Sequence, residues 1–292
     1  MTHVLVTGAT GNIGREVIHN LCELGLVSST IVAVRNTQQA QSYFTNYPGL
    51  NYRWFDFKEP QSFNSAFTGI DVLFLLRPPH ISKVEEYFHP LLSSAWNCGI
   101  RKVVFLSVQG AEKSKVIPHN QIERLIKSLG FEYIFVRPSY FMQNLTTALL
   151  PEIREDRCIT LPAGKAKFNW IDAKDIGKAC AILINSFDRY KNAEYEITGT
   201  ENKNFEEVAQ LLSKVCGIPI RYKSINPISF YLAKRKAGMA SGFAVVMTIL
   251  HFLPRFQKEP EISDNYRMLT IQQPTTTLSA FIKREKDLFT KQ

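Results

Sequence analysis

The chain has 292 residues, 45% apolar and 21% charged, with 35 Lys and Arg against 26 Asp and Glu, a net charge of +9. This length and composition exclude a disordered chain and predict a real core, in one large domain or one domain with a smaller lobe. The positive charge does not by itself mark a nucleic-acid binder. The lysines and arginines read as scattered, and the densest groups, Lys234-Arg235-Lys236 and Lys283-Arg284-Glu285-Lys286, read as solvated helix faces. A basic surface would also attract an anionic cofactor.

In chain order, His3 to Thr7 reads as a buried strand that breaks into glycines at 8, 11 and 14 and continues as a helix. Each glycine has a physical role in a dinucleotide site. Gly8 permits a tight turn, Gly11 a close approach of backbone to pyrophosphate, and Gly14 close packing of helix on strand. The free N–H groups of the helix start, from Asn12 and Ile13 onward, would meet the phosphates, with Thr10 in the turn before them.

Further strands are expected at Thr30 to Arg35, Asn51 to Phe55, Asp71 to Leu76, Lys102 to Ser107 and Glu132 to Val136. Helices are expected at Thr37 to Phe44, Pro60 to Phe67, Ile81 to Cys98 and Pro118 to Leu129. The strand runs read as apolar throughout, as strands buried on both faces do, and the alternation implies a parallel, doubly wound α/β sheet of Rossmann type. After Arg137-Pro138 the character changes. Helices are expected at Tyr140 to Ile153, Asp172 to Ser186, Asn204 to Cys216, over most of Pro227 to Leu253, and at Thr275 to Phe289, with short strands at Cys158 to Leu161 and Glu194 to Ile197. Residues 1–138 are therefore read as the nucleotide-binding domain. Residues 139–292 are read as a smaller α/β lobe, strands of which can return to the main sheet.

Five widely spaced cysteines without a C-x-x-C predict neither disulfides nor a metal site, and a reducing, cytoplasmic setting. The N-terminus runs straight into the first strand without the features of a secretory signal. Gly238 to Pro254, the most apolar later stretch, is shorter than the roughly 20 residues a span needs and is expected to be a buried helix, so no membrane partner is expected.

Ligands of such sheets bind outside the carboxyl ends of the strands, so the residues just after each strand are the candidates. Arg35, 21 positions after Gly14, suits the 2′-phosphate of NADP where an acidic residue would favour NAD; it could also be a solvated strand end. Asp56 could accept from the adenine amino group or be a turn residue. Arg77 and Pro78 would pass beside the cofactor ribose, or the prolines could simply stop the strand; His80 is a weaker candidate for touching substrate. Ser107 ends the fifth strand. On the next helix His119 and Glu123 share a face with Lys127. His119 could sit near the nicotinamide as proton donor or polar anchor, held by Glu123, or the row could be an exposed salt-bridged face. Tyr140 and Asn144 could face the pocket from the other side, whereas Phe141 and Met142 read as core. Apolar residues within Pro227 to Pro254 suit either a cleft for a hydrophobic substrate or ordinary core.

The ordered combination of V-L-V-T-G-A-T-G-N-I-G at Val4–Gly14, Val34-Arg35, Phe105-Leu106-Ser107, His119-x-x-x-Glu123, Val136-Arg137-Pro138 with Asn144, and Trp170-Ile171-Asp172-x-x-Asp175-Ile176 resembles the NmrA-like branch of the atypical short-chain dehydrogenase/reductase superfamily. The resemblance spans nearly the whole chain. It implies a Rossmann fold with a small α/β lobe, NADP (NADPH) held at Gly8–Gly14 and Arg35 in preference to NAD, and a cleft between the lobes. The classical pattern carries Tyr-x-x-x-Lys where this chain has His119-x-x-x-Glu123. Reduction of an ordinary ketone makes a basic alkoxide that needs a positioned donor, whereas quinones and cationic dyes give delocalised or neutral products. The expectation is therefore an NADPH-dependent reductase of quinones or similar small aromatic acceptors. The alternative is a non-catalytic NADP-sensing regulator with a protein partner. A homo-oligomer is left open, and no nucleic-acid partner is expected.

Overall fold

The computed structural model describes residues 2–290. Strand β1 (Val4–Val6) runs into α1 (Asn12–Glu23). The alternation continues with β2 (Thr30–Val34), α2 (Thr37–Gln41), β3 (Asn51–Trp54), α3 (Phe63–Phe67), β4 (Val72–Leu76), α4 (Val84–Asn97), β5 (Lys102–Leu106), α5 (Pro118–Ser128) and β6 (Glu132–Pro138). Next come β7 (Tyr140–Phe141), α6 (Leu150–Glu155), β8 (Cys158–Leu161), β9 (Phe168–Ile171), α7 (Ala173–Asn185), α8 (Phe187–Tyr190) and β10 (Ala193–Ile197). The chain closes with β11 (Asn202–Lys203), α9 (Phe205–Cys216), β12 (Arg221–Ser224), α10 (Pro227–Lys236), α11 (Ser241–Phe252), α12 (Asn265–Leu269), α13 (Leu278–Arg284) and α14 (Lys286–Thr290). Two compact units result. The first holds the chain up to Pro138 with Ala173–Ile197 and Asn265–Gln273; the second holds Ser139–Asp172, Thr198–Asp264 and the residues from Pro274 onward.

The first unit is built on a seven-stranded sheet in the order β10-β6-β5-β4-β1-β2-β3, every neighbouring pair parallel. The order reverses between β1 and β4, which is the switch point of a doubly wound fold. Strands β1 and β2 and most of β4 and β5 are buried because helices cover both faces. On one face Leu5, Leu73, Val103 and Phe135 pack with Phe67, Phe88, Leu92 and Ile122 from the helices. On α7, a Cβ added to Gly177 would lie 2.4 Å from the Glu16 Cβ, so only glycine lets α7 pack this close to α1. The expectation of apolar strands throughout fails at β3, whose Asn-Tyr-Arg-Trp is exposed or half-buried. As an edge strand it has a single neighbour and keeps one side toward water.

The second unit has a three-stranded sheet, β11-β9-β7, and a two-stranded one, β12-β8. Its core gathers Trp170, Phe205, Phe230, Phe281 and Ile282. The predicted helix from Tyr140 to Ile153 is not formed. Tyr140 and Phe141 instead pair with Trp170 and Ile171 of β9, a 3₁₀ turn follows at Met142–Thr146, and only α6 is α-helical. Met142 and Leu145, three apart, are both buried by that turn, which imitates helical spacing in the sequence. The predicted final helix is likewise two short ones broken at Glu285. The stretch Gly238 to Pro254 is not a fully buried helix. In α11, Ala244, Met247 and His251 face inward, while Val246, Ile249 and Leu250 are exposed. No helix among the described residues is long and apolar enough to cross a membrane.

Candidate functional site

The end of β1 is clamped to β4 through Thr7. Its backbone N–H and its hydroxyl both donate to the Phe74 carbonyl at 3.1 Å, and its Oγ1 accepts from Leu76 N–H at 2.9 Å. The chain then turns. Gly8 adopts φ +61°, where a Cβ would also meet Leu76 Cδ2 at 2.8 Å, and Gly11 N–H closes the turn on the Gly8 carbonyl at 3.0 Å. A Cβ on Gly14 would lie 2.2 Å from that same carbonyl oxygen. The spacing of the three glycines is thus fixed by contact between the turn and the first turn of α1. No side chain caps α1, and its first turn carries no acidic residue. The N–H groups of Asn12, Ile13 and Gly14 precede the bond that Arg15 donates to the Gly11 carbonyl at 3.0 Å, and with the helix dipole they favour an anion.

Beside this turn lies a cleft of ≈ 520 Å³. Its lining comes from Gly8, Ala9 and Thr10, from Arg35 and Asn36 at the end of β2, from Gln39 and Tyr43, from Asp56 and Lys58 after β3, and from Pro78 and His80 after β4. Among the described residues Arg35 is exposed and makes no ion pair or hydrogen bond, so its guanidinium is available to the cleft. Asp56 both lines the cleft and accepts the Lys58 N–H at 2.9 Å, so the turn reading and the cleft reading hold together. Gly8, Thr10, Arg35, Asp56 and Pro78 therefore converge on one cleft. Gly11, Asn12, Ile13 and Gly14 supply the helix end, where Ile13 and Gly14 are buried and offer backbone only.

Two candidates have their side chains engaged elsewhere. Arg77 Nη1 donates to the carbonyls of Pro78 (3.1 Å), Pro79 (3.2 Å) and Ile81 (2.8 Å), bracing the segment after β4. Burial lowers the pKa of its guanidinium. Ser107, 2% exposed, donates its hydroxyl to Glu123 Oε1 at 2.6 Å.

The pairing of Glu123 with His119 is not what forms. Glu123 is buried and takes a two-pronged bond from Arg137, Nε to Oε1 at 3.0 Å and Nη2 to Oε2 at 2.7 Å, while Arg137 Nη1 also reaches Glu112 at 3.1 Å. A buried carboxylate takes the strongest available donor, and the guanidinium fork from β6 outcompetes an imidazole one turn away. The exposed salt-bridged row does not form either, because Lys127 pairs with Glu194 at 2.8 Å. His119 instead packs near Phe105, with its Nε2 3.4 Å from Arg77 Nε. Burial, with the neighbouring Arg77 charge, depresses its pKa to about 3, so the ring is neutral. Nε2 faces a donor, which leaves the proton on Nδ1. Tyr140 belongs to the second unit and sits on β7, its hydroxyl 2.9 Å from His251 Nε2, and burial raises its pKa.

The cleft also contains residues that strand-end reasoning passed over. Tyr43 lines it just beyond α2 and lies under the Arg15 guanidinium at 5.6 Å, while Lys58 lines it two positions after Asp56. Lys58 had a readable signal, a cation four positions past the end of β3. Tyr43 had none, because its position depends on α2 ending after barely more than one turn.

The family model described as the NmrA-like family matches residues 1–265. The chain is 27% identical to the Prestalk A differentiation protein A of Dictyostelium discoideum, over 93% of this chain and 88% of that one. It is 29% identical to the NAD(P)H azoreductase of Xenophilus azovorans, over 98% of this chain and 99% of that one. Among solved structures, the NADPH-dependent quinone oxidoreductase QOR2 of Escherichia coli, complexed with NADPH, superposes with a TM-score of 0.85 at 23% identity, covering 97% of this chain and 99% of that one. With its 3-2-1-4-5-6 strand order, its glycine turn at the switch point and a match spanning both units, the chain belongs to the NmrA-like family.

Proposed function

We propose that this chain binds NADP(H) in the cleft beside Gly8–Gly14 and uses it to reduce quinones or similarly conjugated aromatic acceptors. One observation carries the reading. The glycine turn Gly8–Thr10, which leads into the uncapped start of α1, and the unpaired Arg35 line a single cleft of ≈ 520 Å³, which would give two separate positions for phosphate. The residues fit the group. At Gly14 a Cβ would collide with the Gly8 carbonyl at 2.2 Å, as expected where turn, helix end and pyrophosphate crowd together. Arg35 would take the 2′-phosphate, Asp56 and Tyr43 would flank the adenine, and Pro78 would bound the ribose. Arg77 acts here as a brace of its segment, and Ser107 would contribute through its backbone alone.

When bound, the nicotinamide supplies a hydride. The α5 residues offer no acid to accompany it. His119 is neutral with its Nε2 lone pair turned to Arg77, and Glu123 is bound to Arg137 and Ser107. A neutral imidazole is too weak an acid to protonate a developing alkoxide. The arrangement therefore favours acceptors that spread or neutralise the incoming charge themselves, as quinones, azo compounds and cationic dyes do. The names of the Xenophilus azovorans and Escherichia coli relatives agree with that class. Steady-state oxidation of NADPH against a panel of quinones, azo dyes and triphenylmethane dyes tests it: turnover with one class and none with simple ketones is expected.

A further inference from the structure

We propose that the α10–α11 hairpin is a docking surface for anionic lipid, on which the protein lies at a membrane without crossing it. This inference is independent of the reductase reading. The sequence shows a charge segregation that a simple search for clusters misses. From Val208 to Lys258, 51 residues contain 8 Lys and Arg and not one Asp or Glu. The whole chain carries +9, so this segment holds +8 of it and the remaining chain is nearly neutral at +1.

Among the described residues, nine of the seventeen exposed large apolar side chains lie in the same segment. Leu232 on α10 is 58% exposed, and along α11 and the turn after it Val246 (57%), Ile249 (48%) and Phe256 (73%) stand in solvent. Helix α11 is apolar on its buried and its exposed sides alike, a pattern that requires a cover on both. Basic side chains border this surface. Lys234, Arg235 and Lys236 end α10, and Arg255 and Lys258 follow α11. Lys234 Nζ and the Arg255 guanidinium lie over the rings of Phe230 and Phe252, at 5.3 and 5.5 Å. Among the described residues none of the 8 cations is paired with a carboxylate.

Apolar side chains beside unpaired cations match the interface of an anionic bilayer, where the first enter the headgroup boundary and the second meet lipid phosphates. A second copy of the chain fits poorly. A two-fold contact would bring the same cations together with no acid from the segment to pair them. The earlier expectation of no membrane partner rested on span length, which does not bear on a helix lying in the interface plane.

Flotation of the full chain with vesicles of phosphatidylcholine, alone or mixed with phosphatidylglycerol, tests the proposal. Binding to the anionic vesicles only, weakened by added salt, is expected. Replacing Lys234, Arg235 and Lys236 together by Glu should lower the partition coefficient at least ~10-fold, and Val246→Glu with Ile249→Glu should lower it independently. Lys234 is half-buried and the other positions are solvent-exposed, and unchanged thermal melting would confirm the fold of each variant. Equal binding to both vesicle types, none to either, or variants that bind like wild type would overturn the proposal. So would sedimentation showing a stable dimer that Val246→Glu dissociates, which would assign the surface to a second copy.

Discussion

Replacing Gly14 by Ala tests whether the turn and the start of α1 form one anion site. The added Cβ would sit 2.2 Å from the Gly8 carbonyl oxygen, 2.7 Å from Ala9 Cα and 2.8 Å from the Gly8 carbonyl carbon. All three are backbone atoms, so no side chain can rotate away. Ordinary contact begins near ~3.5 Å, and relief therefore requires a relative shift of roughly 1 Å between the turn and α1, at an overpacking cost of about 1–3 kcal/mol. That shift also moves the N–H groups of Asn12 and Ile13 away from a bound phosphate. Losing one charge-assisted hydrogen bond weakens affinity by about 1.5–3 kcal/mol, or at least ~10-fold in Kd. Calorimetric titration with NADPH, paired with thermal melting, reads both effects. Gly242→Ala is the control, since a Cβ there meets nothing within 4 Å. A Gly14→Ala protein that binds NADPH with wild-type affinity would refute the reasoning.

Arg35→Ala should raise the Kd for NADPH at least ~10-fold and barely change that for NADH, because only the former carries the phosphate that a guanidinium pairs with; equal losses for both would remove Arg35 from the site. Glu123→Ala leaves Arg137 buried with only the more exposed Glu112 as its carboxylate, and should cost about 3 kcal/mol in urea denaturation; a loss below about 1 kcal/mol would mean the pair is incidental. Burial depresses the pKa of His119 to about 3 and that of His251 to about 4. Both are held neutral when folded, so their stability contribution is intact above the unfolded value of about 6.5 and is lost as pH falls from there toward 4. Melting temperature should therefore drop over that window, and less steeply in a His119→Gln, His251→Gln double variant; equal slopes would contradict the assignment.

The first unit was largely legible because its signals are local. Doubly buried strands such as Val72–Leu76 are apolar at every position, and the glycines at 8, 11 and 14 mark a turn whose geometry admits little else. The switch point then follows from strand order, and with it Arg35 and Asp56. What failed depends on partners distant in the chain. Tyr140 and Phe141 are extended because β9, thirty residues on, pairs with them. Glu123 turned from His119, one helical turn away, to Arg137 on the neighbouring strand. The outward face of α11 read as buried, in a cleft or in the core, because apolar character alone does not say which side finds a cover.

Rapid mixing of the protein and NADPH with a quinone, an azo dye and a triphenylmethane dye, followed by nicotinamide absorbance, tests the central claim most directly. Stoichiometric hydride loss to at least one acceptor is expected, faster from NADPH than from NADH, and slowed in Arg35→Ala. Tight binding of NADPH without transfer to any of the three would contradict it and leave a nucleotide-sensing protein instead.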